Sequence, residues 1–131
     1  MADAIQKTVL CFVIVNNKIL LLERQNTWYE NMKYLPPGGN VDADETPRIA
    51  AARELFEETD IRVDSNYLKL IREYESETNG RLFHSYYFLA QACEGVEDNK
   101  EPSRHSNIGW FPLDGLPENT SKVVYDTLEL L

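Results

Sequence analysis

The chain has 131 residues, of which 43% are apolar, and its 13 basic and 22 acidic side chains give a net charge of −9. A chain of this length can bury a core without disulfides or structural metals, so we expect one domain over residues 1–131. The acidic balance argues against a nucleic-acid polymer as partner, because affinity for a phosphate backbone comes largely from Lys and Arg.

The sequence shows no membrane or export signal. No apolar run approaches the ~20 residues of a membrane helix, and the opening MADA lacks the basic start of a signal peptide. We therefore expect no membrane partner and a cytoplasmic location. Cys11 and Cys93 lie in apolar runs, which favours buried free thiols. Neither His84, in a strand pattern, nor His105, in a polar loop, resembles half of a catalytic dyad.

The first forty residues alternate apolar runs with turn signals. Residues 7–15 and 18–24 are rich in Val, Ile and Leu and flank Asn16-Asn17, which predicts a β-hairpin with both faces covered. Residues 25–33 are polar and aromatic and predict a loop or irregular strand. The run Pro36-Pro37-Gly38-Gly39 predicts a turn in which the glycines allow a close backbone approach.

A helix is predicted to begin at Thr46-Pro47 and to run to Thr59. Thr accepts a hydrogen bond from a free N–H, and Pro is tolerated in the first turn. The apolar stripe predicted to pack on a sheet consists of Ile49, Ala52 and Phe56, with Leu55 to one side. The glutamates are expected on the opposite edge.

Acidic side chains crowd that edge. Positions four apart share a helix face, so Arg53 is expected near Glu57, and Glu54 near Glu58. Carboxylates this close repel each other, which indicates that a positively charged group or ion binds between them. A set of carboxylates without nearby Cys or His favours Mg²⁺, or alternatively Mn²⁺, over zinc. The alternative is a solvated acidic helix face.

The spacing of this segment resembles the Nudix box. The residues that carry the resemblance are Gly39, Glu45, Arg53, Glu54, Leu55, Glu57, Glu58 and Ile61. The preceding LPPGG and the later HSYYFLAQA and WFPLDGLPEN resemble small stand-alone, MutT-like Nudix hydrolases, so the resemblance covers nearly the whole chain. Asp60 departs from the box, which has Gly at this position. A left-handed helix end costs a residue with a Cβ roughly 1–2 kcal/mol, less for Asp than for most.

The second half predicts more strands and one helix. Residues 67–77 and 81–92 flank Asn79-Gly80, which predicts a long antiparallel hairpin. Residues 94–107 are charged and predict a surface loop able to fold over a site. A strand at 108–111, a turn at 112–117 and a helix at 120–131 follow. This order predicts an α/β (α+β) fold with a mixed β-sheet sandwiched between α-helices, as the Nudix resemblance also implies.

The resemblance implies metal-dependent hydrolysis of a nucleoside diphosphate linked to another group, with water attacking a phosphorus. It implies that the metal ligands are Glu54, Glu57, Glu58 and the Gly38 carbonyl. Arg53 would orient the glutamates by charge-assisted hydrogen bonds. Glu54 is the first choice for the general base, with Glu45 and Glu101 as alternatives.

The substrate is less strongly indicated. The candidate substrate-binding residues are Gly39 and the aromatic residues Trp28, Tyr29, Tyr34 and Phe83. Aromatic faces stack on any nucleobase, although ordinary packing is the alternative for each. Features of NADH-cleaving and coenzyme A relatives are absent. The leading substrate is therefore a nucleoside triphosphate, oxidised or non-standard ones included, which would give a monophosphate and pyrophosphate.

Three alternatives remain open. ADP-ribose or a nucleotide-sugar is the second substrate class. A non-catalytic nucleotide-binding module is a different class of function, although such modules tend to lack the glutamates that this chain retains. A homodimer is the third alternative, because apolar residues suit a subunit interface. Such residues occur in the N-terminal strands and at the C-terminal positions Val123, Val124, Leu128 and Leu130.

Overall fold

A computed structural model describes residues 4–27 and 30–131. The elements in chain order are β1 (Gln6–Val15), β2 (Lys18–Arg24), β3 (Tyr34–Leu35), β4 (Gly38–Asn40), α1 (Pro47–Thr59), a 3₁₀ turn (Ser65–Tyr67), β5 (Lys69–Thr78), β6 (Arg81–Ala90), β7 (His105–Pro112) and α2 (Lys122–Leu128). None of the helices in these ranges is long and apolar enough to cross a membrane.

Strand β1 is the centre of a mixed sheet to which seven strands of the described residues belong. It pairs in parallel with β6 and antiparallel with β4. The predicted hairpin with β2 is confirmed at its turn, where Asn16 and Asn17 have φ of 55° and 61°. Only Ile14 and Val15 of β1 pair with β2, however, because β2 then diverges to pair with β3 and β7.

The two faces of the sheet are both buried, as the apolar runs predict. Alternate β1 residues point to opposite sides: Val9 and Cys11 join the core beneath α1, whereas Leu10 and Phe12 join the core that includes Val124 of α2. The sheet is therefore sandwiched between the two helices. This confirms the predicted fold class.

Helix α1 buries a face that differs in part from the predicted stripe. Its buried apolar residues are Ala50, Ala51 and Leu55, whereas Ile49 is 48% exposed. Of the predicted stripe, Leu55 is in the core and Ala52 packs against it, whereas the prediction was wrong for Ile49 and Phe56. Phe56 instead lies under the guanidinium of Arg62, 4.3 Å from the ring centroid, which shields the ring from water without core packing. Small alanines let α1 approach the sheet closely.

Three other predictions need adjustment. Strand β7 begins at His105, so the preceding loop is shorter than expected. Helix α2 is shorter than residues 120–131, because Ser121 caps it by accepting a hydrogen bond from the Val123 N–H. Of the C-terminal apolar residues considered for a dimer face, Val124 is buried and Val123 and Leu128 pack against the same core, while Leu130 remains exposed.

The α1 helix ends at Asp60 in a left-handed conformation, with φ 65° and ψ 10°. Its N–H donates to the Phe56 carbonyl, and its carboxylate lies 3.6 Å from Lys100 Nζ. The position has the geometry that favours glycine, and Asp occupies it with a partially compensating ion pair.

We expect Asp60→Gly to change the free energy of unfolding by no more than about 1 kcal/mol, because strain relief is offset by a more flexible unfolded chain and a lost ion pair. Asp60→Val should destabilise by at least about 1–2 kcal/mol, because a β-branched residue resists positive φ. Urea denaturation measures both changes in the free energy of unfolding. In Asp60→Gly, the expected requirement for a divalent metal should be unchanged. Loss of activity in that variant would contradict this prediction.

Candidate active site

Strand β4 runs between β1 and α1 at very short distances. A Cβ placed on Gly38 would lie 2.0 Å from the Val9 carbonyl oxygen, and one on Gly39 would lie 2.6 Å from Glu54 Cδ. The predicted close approach is confirmed, although these glycines form a short strand rather than a turn. Strand β4 thereby brings its backbone against the acidic helix.

Arg53 is the hub of the acidic cluster. Its Nε and Nη2 donate to the two carboxylate oxygens of Glu45 at 3.0 and 2.5 Å. Its Nη1 donates to Glu57 at 3.1 Å, as the spacing predicts, and also to the adjacent Glu54 at 3.0 Å. The bond to Arg53 lowers the pKa of the Glu45 carboxyl. Because both Glu45 oxygens are occupied, this residue is better placed to fix Arg53 than to accept a proton.

Glu58 is the most buried carboxylate of the cluster, at 6% exposure. Burial raises its pKa well above the ordinary value, and the charges of Glu54 and Glu101 raise it further. The Gly38 N–H is 3.4 Å from Oε2, which is a long hydrogen bond. The charge of Glu58 is therefore poorly compensated within the protein.

Glu54 and Glu101 belong to the same electrostatic group. Burial raises the pKa of Glu54, the bond to Arg53 opposes this, and the charges of Glu57 and Glu101 add to the increase. Glu101 lies in the loop 91–104, which is fixed to the end of α1 by hydrogen bonds rather than folded over the site. Within it, the Asp98 and Lys100 N–H groups donate to the carbonyls of Thr59 and Glu58.

His105 is a site residue that sequence reasoning missed. It is buried, and its Nε2 lies 3.9 Å from Glu58 Oε2. Burial and the charges of Arg24 and Arg104 lower its pKa to about 4, so the ring is neutral near pH 7. Only the pairing of β7 with β2 brings Arg24 to His105, and no local pattern indicates that contact.

An open cleft of about 330 Å³ leads from this cluster across the sheet. Its lining includes Glu58, His105 and the two glycines of β4, together with Phe83 and Arg81 of the β5–β6 hairpin. Tyr34 is part of the core, so packing is the better interpretation of that aromatic. Trp28 and Tyr29, also candidates for stacking, lie outside the described residues.

The predicted metal ligands are close in space but do not form a ready site. Within residues 4–27 and 30–131, no three carboxylate, imidazole or thiol groups are placed to hold one ion. Arg53 already binds Glu54 and Glu57. The chemistry of the donors nevertheless fits a hard divalent cation, because the oxygens of Glu54, Glu57 and Glu58 are clustered and the charge of Glu58 is poorly compensated.

The two glycines of β4 should respond differently to substitution. In Gly38→Ala the new methyl group meets backbone atoms, so we expect a loss of about 1–3 kcal/mol in the free energy of unfolding. In Gly39→Ala it meets only the Glu54 carboxylate, which can move, so the loss should stay below about 1 kcal/mol while hydrolytic activity falls. Thermal denaturation and a hydrolysis assay on both variants test this. Equal destabilisation would contradict it.

Glu58→Gln should stabilise the metal-free protein at neutral pH. The pKa of the Glu58 carboxyl is higher in the folded state than the unfolded-state value of 4.5, so this group stabilises the fold fully at a pH below 4.5. The contribution is lost as the pH rises through the folded-state pKa. The neutral amide avoids that loss, so we expect a gain of about 1–3 kcal/mol at pH 7. Urea denaturation with EDTA between pH 4 and 8 measures the gain, which should vanish near pH 4. A gain that does not depend on pH would contradict this reasoning.

Comparison with known proteins agrees with this geometry. Residues 4–131 match a family model described as NUDIX domain. A MutT-like protein from Streptomyces ambofaciens is 33% identical over 87 residues, 66% of this chain and 53% of that protein. The chain thus spans about half the length of that relative. The 8-oxo-dGTP diphosphatase of Escherichia coli (strain K12) is 27% identical over 111 residues, 83% of this chain and 84% of that protein.

A solved structure agrees over the full length. The crystal structure of MutT NUDIX hydrolase from Burkholderia pseudomallei has a TM-score of 0.89 and 28% sequence identity. The match covers 98% of this chain and 99% of that chain. The same sheet and helices are therefore present in both.

Proposed function

We propose that this chain, which belongs to the NUDIX family and is a Nudix pyrophosphohydrolase, hydrolyses a nucleoside triphosphate to a monophosphate and pyrophosphate. Oxidised or otherwise non-standard triphosphates are included in this class. The observation that carries the proposal is a cleft whose lining includes both the buried Glu58 and the aromatic Phe83.

The cleft has room for a small nucleotide ligand. Its volume of about 330 Å³ is near the lower limit of small-molecule sites, which span ≈ 300–1,000 Å³. The likeness to the E. coli 8-oxo-dGTP diphosphatase over most of both chains favours a triphosphate over ADP-ribose.

The polar groups are arranged to suit a phosphate chain pointing towards α1. Arg24 and Arg104 line the cleft beside Glu58 and supply positive charge for phosphate oxygens. Phe83, at the hairpin end, offers a ring face for the nucleobase. The nucleoside would therefore lie over β5 and β6, with the phosphates next to the carboxylates.

Nudix hydrolases generally use divalent metal ions. We propose Mg²⁺, with Mn²⁺ as a substitute, held by Glu54, Glu57, Glu58 and the Gly38 carbonyl. When bound, such an ion neutralises phosphate charge and makes a bound water more acidic. Arg53 would keep Glu54 and Glu57 side by side, because one guanidinium nitrogen already donates to both.

Glu54 remains our choice for the general base that takes the proton of the attacking water. Burial raises its pKa towards the working pH, and this favours proton transfer. Glu101 is the alternative, since its charge acts on both Glu54 and Glu58. Glu45 is disfavoured by its two bonds to Arg53.

Product analysis tests the proposal. The purified protein is incubated with Mg²⁺ and a panel of standard and oxidised nucleoside triphosphates, ADP-ribose and dinucleoside polyphosphates. We expect one triphosphate to give monophosphate and pyrophosphate in equal amounts. Glu57→Gln should lower the rate by at least about tenfold, the lower limit for losing one charged transition-state contact.

The matched control is Glu75→Gln, which removes an acidic side chain on β5 outside the cleft and should leave the rate unchanged. Orthophosphate as the main product, or turnover of ADP-ribose alone, would contradict the proposed substrate class. Turnover that persists in EDTA would contradict the proposed metal site.

A further inference from the structure

The orientation of Glu58 depends on contacts to one of its two oxygens. The Gly38 N–H at 3.4 Å and His105 Nε2 at 3.9 Å both approach Oε2. Both contacts involve the same oxygen, so Oε2 is the side of the carboxylate that faces strand β4 and His105.

His105 is held firmly where it meets Glu58. Its backbone N–H donates to the Glu101 carbonyl at 3.0 Å, and its carbonyl accepts from Asn99 Nδ2 at 2.7 Å. The same loop donates from the Lys100 N–H to the Glu58 carbonyl at 3.1 Å. One short loop thus ties together the backbones of both residues.

Packing alone does not account for an imidazole at this position. Nδ1 of His105 is buried and lacks hydrogen-bond geometry with any residue that the structure describes. A buried nitrogen without a partner is unfavourable, and an apolar side chain of similar size would avoid that cost. An apolar residue at this position would, however, lack the nitrogen that lies near Glu58.

We propose that His105 is a positioning residue of the metal site: its Nε2–H, which lies 3.9 Å from Glu58 Oε2 in this structure, closes to a hydrogen bond when Glu58 binds the divalent cation, so that Oε2 is fixed and Oε1 faces the ion. The inference rests on the proposed function for the existence of the ion, but not on the choice of nucleotide. Groups that orient a ligating side chain in this way commonly change metal affinity by about 10–100-fold when they are removed.

The test is Mn²⁺ binding without nucleotide, measured by calorimetry and by the paramagnetic resonance signal of free Mn²⁺. His105→Leu should weaken binding by about 10–100-fold. His105→Gln should restore most of the affinity, because its amide nitrogen can occupy the place of Nε2. Loss in the first variant and rescue in the second distinguish positioning from a general packing defect.

His84→Leu is the matched control. This histidine lies on β6 and contacts Glu73 and Glu75 rather than the cluster, so Mn²⁺ affinity should not change. Thermal denaturation in EDTA should show that His105→Leu is folded at the temperature of the titration. If it is not folded, the Mn²⁺ affinity of His105→Gln is compared with that of the wild type instead. Near-wild-type affinity is then the expected result.

Three results would overturn the proposal. Wild-type Mn²⁺ affinity in His105→Leu would remove the positioning role while leaving the proposed hydrolysis intact. Equal loss in the Leu and Gln variants would assign the effect to packing. Absence of Mn²⁺ binding by the wild-type chain would contradict both this inference and the proposed metal site, whereas failure of the nucleotide panel alone would leave this inference standing.

Discussion

The close approach of β4 to its two neighbours is the constraint on which the remaining structure depends. Gly38 brings the β4 backbone against β1, and Gly39 brings it against Glu54. Alanines on the facing side of α1 allow the helix to approach the same strands. Three backbones therefore converge where no larger residue fits, and they carry the acidic side chains to the rim of the cleft. Close backbone packing fixes strand β4, and the side chain of Arg53 fixes the glutamates beside it.

Charge and burial conflict at this position. A carboxylate with 6% exposure and one long hydrogen bond destabilises a metal-free fold, yet a carboxylate that is largely shielded from water attracts a cation more strongly. Arg53 balances the outer part of the cluster through Glu45, Glu54 and Glu57, but it does not reach Glu58. The protein therefore keeps a local instability at the point where its proposed ligand would remove it, a common relation between stability and function.

Features set by local sequence could be predicted, and those set by distant contacts could not. The start of α1 at Thr46-Pro47 and the Asn79-Gly80 turn follow from short-range preferences, and the four-residue spacing correctly placed Arg53 next to Glu57. The buried face of α1 was misassigned because Ile49 and Phe56 are apolar, whereas the docking geometry selects small residues. The role of His105 depends on strand pairing and loop contacts that no local pattern encodes.

The parallel pairing of β1 with β6 has a consequence for how the chain folds. Thr8 and Ser85, which share a hydrogen bond in that pair, are 77 residues apart. During synthesis β1 is made well before β6, so it cannot pair with that strand until the long intervening segment has also been made. Until then its apolar residues are exposed, and long-range parallel pairing is slow to form. Synthesis rate and chaperone access thus become determinants of how much active protein a cell obtains.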